Sequence, residues 1–231
     1  MKPFQFKQFS IQQSKTVFRV GTDGVLLGAA SAVSNAKNIL EVGTGSGLIS
    51  LMLAQRNPQA EIHAIDLNEN AVMLAKENFE NSPFKNRLKV FLQDYKNFNS
   101  KEKYDLIVSN PPYFKENESE KDIIARQQTE LSFEFLIEKS SDLLSEKGLL
   151  SVIIPFESGL LFEKYCNKKS LYLNNKIQIY GIRDSKPKRL LLEFGFQQKE
   201  ADESELVIEK SPRKYTDEYL KLTEEFHQFS K

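Results

Sequence analysis

The chain has 231 residues, 40% apolar and 28% charged, enough to bury a substantial core without disulfide or metal staples. A single cysteine, Cys166, rules out an internal disulfide, and two widely separated histidines cannot by themselves build a zinc site. No apolar run approaches the ~18 residues of a membrane span, and residues 1–13 lack the apolar stretch of a secretory signal. The expectation is a cytoplasmic monomer with no metal and no membrane attachment.

The net charge is zero, but it is unevenly spread. Residues 1–22 carry +4 from Lys2, Lys7, Lys15 and Arg19, and residues 160–191 carry +6, which leaves −10 for the remainder. Two basic segments on an acidic body can form one phosphate-facing surface, or they can simply solvate loops.

In chain order, Val25 to Ala30 reads as an apolar helix opened by the turn Thr22-Asp23-Gly24. Asn38 to Val42 is a first strand of the central series, and the glycine turn 43–47 leads into helical spacing at Leu48, Leu51, Met52 and Gln55. Glu61 to Ile65 is a strand ending at Asp66, and Asn68 caps a helix through Ala71, Leu74, Ala75 and Phe79. Leu88 to Leu92, Tyr104 to Ser109 and Leu149 to Ile154 supply further strands. The stretch from Leu131 to Leu144 reads as a helix that Gly148 helps to end. Strands are then expected over Leu171 to Ile182, Arg189 to Phe196 and Leu206 to Glu209, with a basic turn around Pro187. Thr216 caps a last helix whose apolar face is Tyr215, Tyr219, Leu222, Phe226 and Phe229. Alternating strands and helices of this kind give an α/β fold: a Rossmann-like, doubly wound, mostly parallel sheet with helices on both faces. All of residues 1–231 are assigned to one domain, with 1–35 a basic and aromatic extension and lid, and 36–231 the core.

The turn Gly43-Thr44-Gly45-Ser46-Gly47 lies between a strand and a helix, where glycine permits a tight turn and close approach of a ligand. The dinucleotide fingerprint would need glycine at 48, where Leu48 stands, and no phosphate-loop motif occurs. Glu41 precedes the turn, and Asp66 follows Gly47 by 19 residues at a strand tip, placed to accept hydrogen bonds from ribose hydroxyls. Together they favour an adenosine-containing cofactor without a pyrophosphate.

These residues resemble those of the class I S-adenosylmethionine-dependent methyltransferases. The resemblance implies that Glu41, Gly43, Thr44, Gly45 and Gly47 wrap the methionine and ribose portions of S-adenosyl-L-methionine. It also implies that Asp66 holds the ribose and Asp94 the adenine amino group, with the neighbours Leu67 and Tyr95 among the contacts.

The strand from Tyr104 runs into Asn110-Pro111-Pro112-Tyr113, a tetrapeptide expected by chance in roughly one chain in a thousand of this length. It falls at the carboxyl end of a strand, where open α/β sheets bind ligands. The Asn110 side-chain carbonyl and the Pro111 carbonyl can accept the two hydrogens of a planar amine, Pro112 stiffens the backbone, and Tyr113 can stack on a flat substrate. Such a motif serves adenine N6, cytosine N4, guanine N2 and glutamine amides alike. The resemblance implies that Asn110 also borders the cofactor.

The whole chain is similar to the bacterial valine-tRNA adenine-N6 methyltransferases, which modify the adenine just 3′ of the anticodon. Carrying this likeness are the basic-aromatic start, Val20-Gly21-Thr22-Asp23-Gly24, the glycine loop, the Asn110 motif and the stretch from Lys188 to Phe194. It implies that Thr22, Asp23 and Gly24 lie near the methionine end of the cofactor. The partner is then a tRNA anticodon loop and stem, with Lys7, Arg19, Lys186, Lys188 and Arg189 as phosphate contacts. Phe4, Phe6 and Phe9 either stack on loop bases or form an apolar strand face over the core. A glutamine-amide protein methyltransferase, another nucleic-acid amino-group methyltransferase and a cofactor-binding scaffold are the alternatives.

Overall fold

The computed structural model describes residues 1–17, 19–111 and 132–227. A short antiparallel pair, β1 (Phe4–Gln5) and β2 (Ser10–Ile11), precedes α1 (Thr22–Ala30). The central series follows as β3 (Asn38–Val42), α2 (Leu48–Arg56), β4 (Glu61–Asp66), α3 (Glu69–Glu80), β5 (Leu88–Leu92) and β6 (Tyr104–Ser109). The rest comprises α4 (Phe133–Leu143), β7 (Leu144–Pro155), α5 (Gly159–Lys168), β8 (Tyr172–Ile182), β9 (Pro187–Gly195), β10 (Asp202–Ser211), β11 (Lys214–Tyr215) and α6 (Asp217–Thr223).

Among the described residues, nine strands form one sheet in the order β11-β10-β8-β9-β7-β6-β3-β4-β5. β3, β4, β5, β6 and β7 are mutually parallel, β9 runs antiparallel between β7 and β8, and β10 lies parallel to β8. This is the doubly wound, mostly parallel sheet expected from the sequence.

The strands read as continuous apolar runs because both of their faces are covered. Ile39, Leu106, Val108 and Ile153 face α1, α2, α3 and α6, packing with Leu26, Leu51, Ala75 and Tyr219. Their neighbours Leu40, Ile107, Val152 and Ile154 face α4 and α5, packing with Leu136, Ile137, Phe162 and the buried Cys166. Alternate residues of one strand thus serve two cores, as the pleat requires.

The segment around Phe6 packs against the segment that follows α6. Phe6 stacks on Phe9 at 4.7 Å and on His227 at 5.5 Å, and the Lys7 amide donates to the Phe226 carbonyl at 2.8 Å. Phe6 and Phe9 are buried and Phe4 packs against the same cluster, so these rings belong to the core rather than to a stacking platform.

Four expectations need correction. Gly148 does not end a helix: α4 stops at Leu143 and the chain enters β7 directly at Leu144, so Gly148 lies inside that strand. A Cβ there would stand 2.7 Å from the Tyr104 carbonyl, beside the irregular start of the β6–β7 pairing. The strand expected over Leu206 to Glu209 extends over all of β10, because pairing with β8 recruits its acidic start. Pro187, placed in a turn, opens β9 instead, two residues ahead of the expected start at Arg189. The last helix is capped by Thr216 as expected but ends at Thr223; Phe226 reaches the core from beyond it, and Phe229 lies outside the described residues.

Candidate functional site

Register alone assembles the site. Val42 pairs with Ile65 on one side and Ser109 on the other, and the Ser109 hydroxyl donates to the Val42 carbonyl at 2.9 Å. The next residue along each strand is Gly43, Asp66 and Asn110, so all three emerge side by side at the carboxyl ends of β3, β4 and β6. Asp66 pairs in turn with Leu92, and the Gln93 amide donates to the Asp66 carbonyl at 2.9 Å, which brings Asp94 to the tip of β5.

The glycine loop folds back on this row. Gly43 and Thr44 both donate backbone N–H groups to the Ile65 carbonyl, at 2.9 and 3.1 Å. Gly43, Gly45 and Gly47 all have positive φ, at 76°, 57° and 81°, a region that other residues adopt only at a cost. Among the described residues, a Cβ on Gly43 would meet nothing within 4 Å, whereas one on Gly47 would strike Phe79 Cε1 at 2.5 Å. Gly43 and Gly47 therefore act differently: the space over Gly43 is open among the described residues, and Gly47 seats the start of α2 against α3.

Two carboxylates fix the loop. Asp66 Oδ2 accepts from the Gly45 amide at 2.8 Å and Oδ1 from the Asn68 amide at 2.9 Å. An ionised carboxylate has about four lone-pair sites, so about two remain for hydroxyl donors. Glu41 lies under the loop with only 1% of its surface exposed. Its Oε2 accepts from the Thr44 hydroxyl at 2.7 Å, the Ser50 amide at 3.0 Å and the Ser50 hydroxyl, while Oε1 has no partner among the described residues. Burial outweighs those hydrogen bonds and raises the Glu41 carboxyl to about 7.

At the tip of β5, Asp94 Oδ1 accepts from the Lys96 amide at 2.9 Å. The Tyr95 ring turns into the core, where its hydroxyl meets Ser140 Oγ at 2.9 Å, so only its backbone is turned to the site end. Leu67, beside Asp66, is 62% exposed and offers an apolar surface at the rim. Pro111 is buried immediately after Asn110. Pro112 and Tyr113 lie outside the described residues.

Thr22, Asp23 and Gly24 form the first turn of α1, where a Cβ on Gly24 would stand 3.2 Å from Leu48 Cδ2 at the start of α2. Arg189 Nε donates to Asp23 Oδ2 at 2.9 Å, so this residue, expected on RNA, is tied to one expected near the cofactor. The Lys7 ammonium donates to the Glu224 carbonyl just beyond α6, and so closes the last helix rather than projecting freely. Arg19, Lys186 and Lys188 are exposed.

One residue escaped the sequence reading. Asn78, 1% exposed on α3, accepts from the Gln12 amide at 2.7 Å and donates to the Ser46 carbonyl at 2.8 Å and the Gln12 carbonyl at 3.2 Å. It clamps the N-terminal segment and the glycine loop together. Its signal was a polar side chain on the helix stripe of Ala71, Ala75 and Phe79.

A glycine loop after the first strand of this series, acids at the next two strand tips and Asn110 beside it on the other flank define a methyltransferase of the class I fold. Residues 14–168 match the family model described as Methyltransferase small domain, and the chain belongs to that family. It is 54% identical over 230 residues to the tRNA1(Val) (adenine(37)-N6)-methyltransferase of Flavobacteriaceae bacterium (strain 3519-10), covering 99% of this chain and 100% of that one. It is 44% identical to the protein of the same description from Flavobacterium psychrophilum, covering 97% and 98% of the two chains. Among solved structures, a predicted O-methyltransferase from Agrobacterium tumefaciens shares the fold, with a TM-score of 0.69 at 20% identity over 88% of this chain and 96% of that one. S-adenosylmethionine, the cofactor expected from the sequence, fits the residues present: open space over Gly43, a backbone of three positive-φ glycines, and unused acceptor sites on Asp66.

Proposed function

We propose that this chain transfers a methyl group from S-adenosylmethionine to N6 of adenine 37 in a valine tRNA. The observation that supports the chemistry is the row Asp66-Gly43-Asn110, which brings Asn110 out beside the glycine loop at the strand ends. The substrate is that of the tRNA1(Val) (adenine(37)-N6)-methyltransferases to which the chain is similar over nearly its whole length.

S-adenosylmethionine supplies the methyl on a sulfonium, which is already a reactive electrophile. Asp66 holds ribose hydroxyls, Asp94 the adenine amino group of the cofactor, and Leu67 and the Tyr95 backbone border the ring. Glu41 and Thr44 hold the loop from beneath, and Thr22, Asp23 and Gly24 close the methionine end.

Asn110 Oδ1 and the Pro111 carbonyl each accept one hydrogen of the target amine, turning its nitrogen toward the methyl. As the nitrogen gains positive charge both hydrogen bonds strengthen, which stabilises the transition state above the ground state. The nitrogen then releases a proton to water. Alignment supplies much of the rate, and no strong base is needed. Pro112 stiffens the clamp and Tyr113 stacks on the base, roles assigned from the motif.

The target base leaves its stack to enter the site, which costs least in a single-stranded loop. Arg19, Lys186 and Lys188 hold phosphates, and Arg189 acts through its pair with Asp23. The entire chain works as one catalytic unit.

A valine tRNA transcript tests this reading. It is expected to take up labelled methyl, and a transcript with guanine in place of adenine 37 to take up none. Equal labelling of both would refute the assigned position.

A further inference from the structure

Two strands, β10 and β11, extend the sheet beyond β8. β10 is parallel to β8, in register from Asp202 opposite Asn175 to Glu209 opposite Ile182. Its far end therefore lies on the same side of the sheet as the glycine loop and Asn110.

Charge divides along this strand. Its start holds Asp202, Glu203 and Glu205, whereas its end and the turn into β11 hold Lys210, Arg213 and Lys214, with no acid from 210 to 214. All three cations are exposed. Beside them is the β8–β9 turn, with exposed Arg183, Lys186 and Lys188. The turns are joined directly, since the Arg183 amide donates to the Glu209 carbonyl at 3.2 Å. The acids among them are Asp184, the half-buried Glu209, and Asp217, whose carboxylate is 3.8 Å from the Lys210 ammonium on an open surface.

Backbone geometry fixes the second turn. Arg213 has φ of 64°, a left-handed conformation that glycine adopts more easily, and Pro212 stiffens the residue before it. A long cationic side chain thus occupies a position whose backbone favours glycine.

We infer that the β8–β9 and β10–β11 turns form one platform for the sugar-phosphate backbone of the tRNA, on the reading that tRNA is the substrate. β10 lies four strands from β6, about 19 Å at ~4.8 Å per step, so the platform grips RNA well away from the base being modified. On a chain of zero net charge, such a cation cluster at the ligand end of the sheet complements a polyanion. Its contacts confer affinity and position rather than base choice.

The test measures binding of an unmodified valine tRNA transcript from low to moderate salt, by fluorescence anisotropy, for the whole protein. Lys210→Ala/Arg213→Ala/Lys214→Ala is expected to weaken binding about tenfold or more and to flatten the salt slope by ~2–3. Its KM for tRNA rises while kcat and the affinity for S-adenosylhomocysteine hold. Arg213→Gly, which relieves the left-handed backbone, is expected to keep or raise Tm while still weakening binding. Lys101→Ala/Lys147→Ala, at the opposite end of the sheet, serves as the control and is expected to change nothing. Unchanged affinity and slope in the triple variant, with methylation of tRNA by the native protein intact, would overturn the platform alone. A native protein that neither binds nor methylates tRNA would overturn the substrate as well.

Discussion

Asp66 Oδ2 accepts the Gly45 amide at 2.8 Å, across a gap of 21 residues, so the acid at the tip of β4 and the glycine loop after β3 form one unit. The carboxylate proposed to hold the cofactor's ribose also holds the glycine loop proposed to wrap its other half. Losing the charge therefore weakens two contacts with one change.

For Asp66→Asn, a charge-assisted hydrogen bond of about 2 kcal/mol is at stake, or ~30-fold in the Kd for S-adenosylhomocysteine. Calorimetric titration measures it. An affinity within a factor of two of native would show that Asp66 serves the loop and not the ligand.

Asn110→Ala removes one of the two acceptors proposed for the target amine. The expected loss in kcat is about 10²–10³ by analogy with single oxyanion-hole donors. Affinity for S-adenosylhomocysteine is expected to stay within about threefold. Single-turnover methyl transfer with saturating cofactor checks this, and native rates would sink the amine clamp.

Glu41 links stability to pH. Its folded-state carboxyl is raised from 4.5 to about 7, chiefly by burial, so the folded protein holds a proton that the unfolded chain has released. Stability from this group is full below pH 4.5 and falls as pH rises to 7, by up to about 3 kcal/mol. Glu41→Gln cannot ionise, and its Tm is expected to vary less than that of the native protein between pH 5 and 8. Parallel melting curves with the same pH slope would remove Glu41 from the account.

Asn78→Ala strips a buried clamp and leaves the Ser46 carbonyl and the Gln12 amide without their partner. The expected cost is about 2 kcal/mol, seen as a fall in Tm of roughly 4–8 °C. Because Ser46 is within the glycine loop, cofactor affinity is expected to drop as well. A lower Tm with unchanged affinity would confine Asn78 to a structural role.

The parts of the fold legible in the sequence are those fixed locally. β3, β5 and β6 have their expected limits because apolar residues crowd five- and six-residue runs between turn formers, and Asn68 and Thr216 are the side-chain caps expected. What escaped was decided at a distance. The acid-rich start of β10 has poor strand propensity and is a strand only because β8 lies beside it. The reversal of β9 between β7 and β8 leaves no mark in any one segment. Gly148 looked like a helix stop, yet its value is a close approach to the Tyr104 carbonyl, 44 residues away.

The site divides the same way. Gly43 to Gly47, Asp66 and Asn110 stood out because their residue types are needed at strand tips. Asn78 looked like part of an ordinary helix, since its partners at Gln12 and Ser46 lie 66 and 32 residues away. Arg189 was read as a phosphate contact from its basic neighbours, and its pairing with Asp23 crosses 166 residues.

The most direct measurement offers labelled S-adenosylmethionine with unmodified total tRNA and, in parallel, with a protein extract, then digests both and identifies the product by mass. The expected result is N6-methyladenine from the tRNA and no label in protein. Methylglutamine in protein with unlabelled RNA would contradict the account, leaving the fold and the amine clamp but assigning them to another substrate.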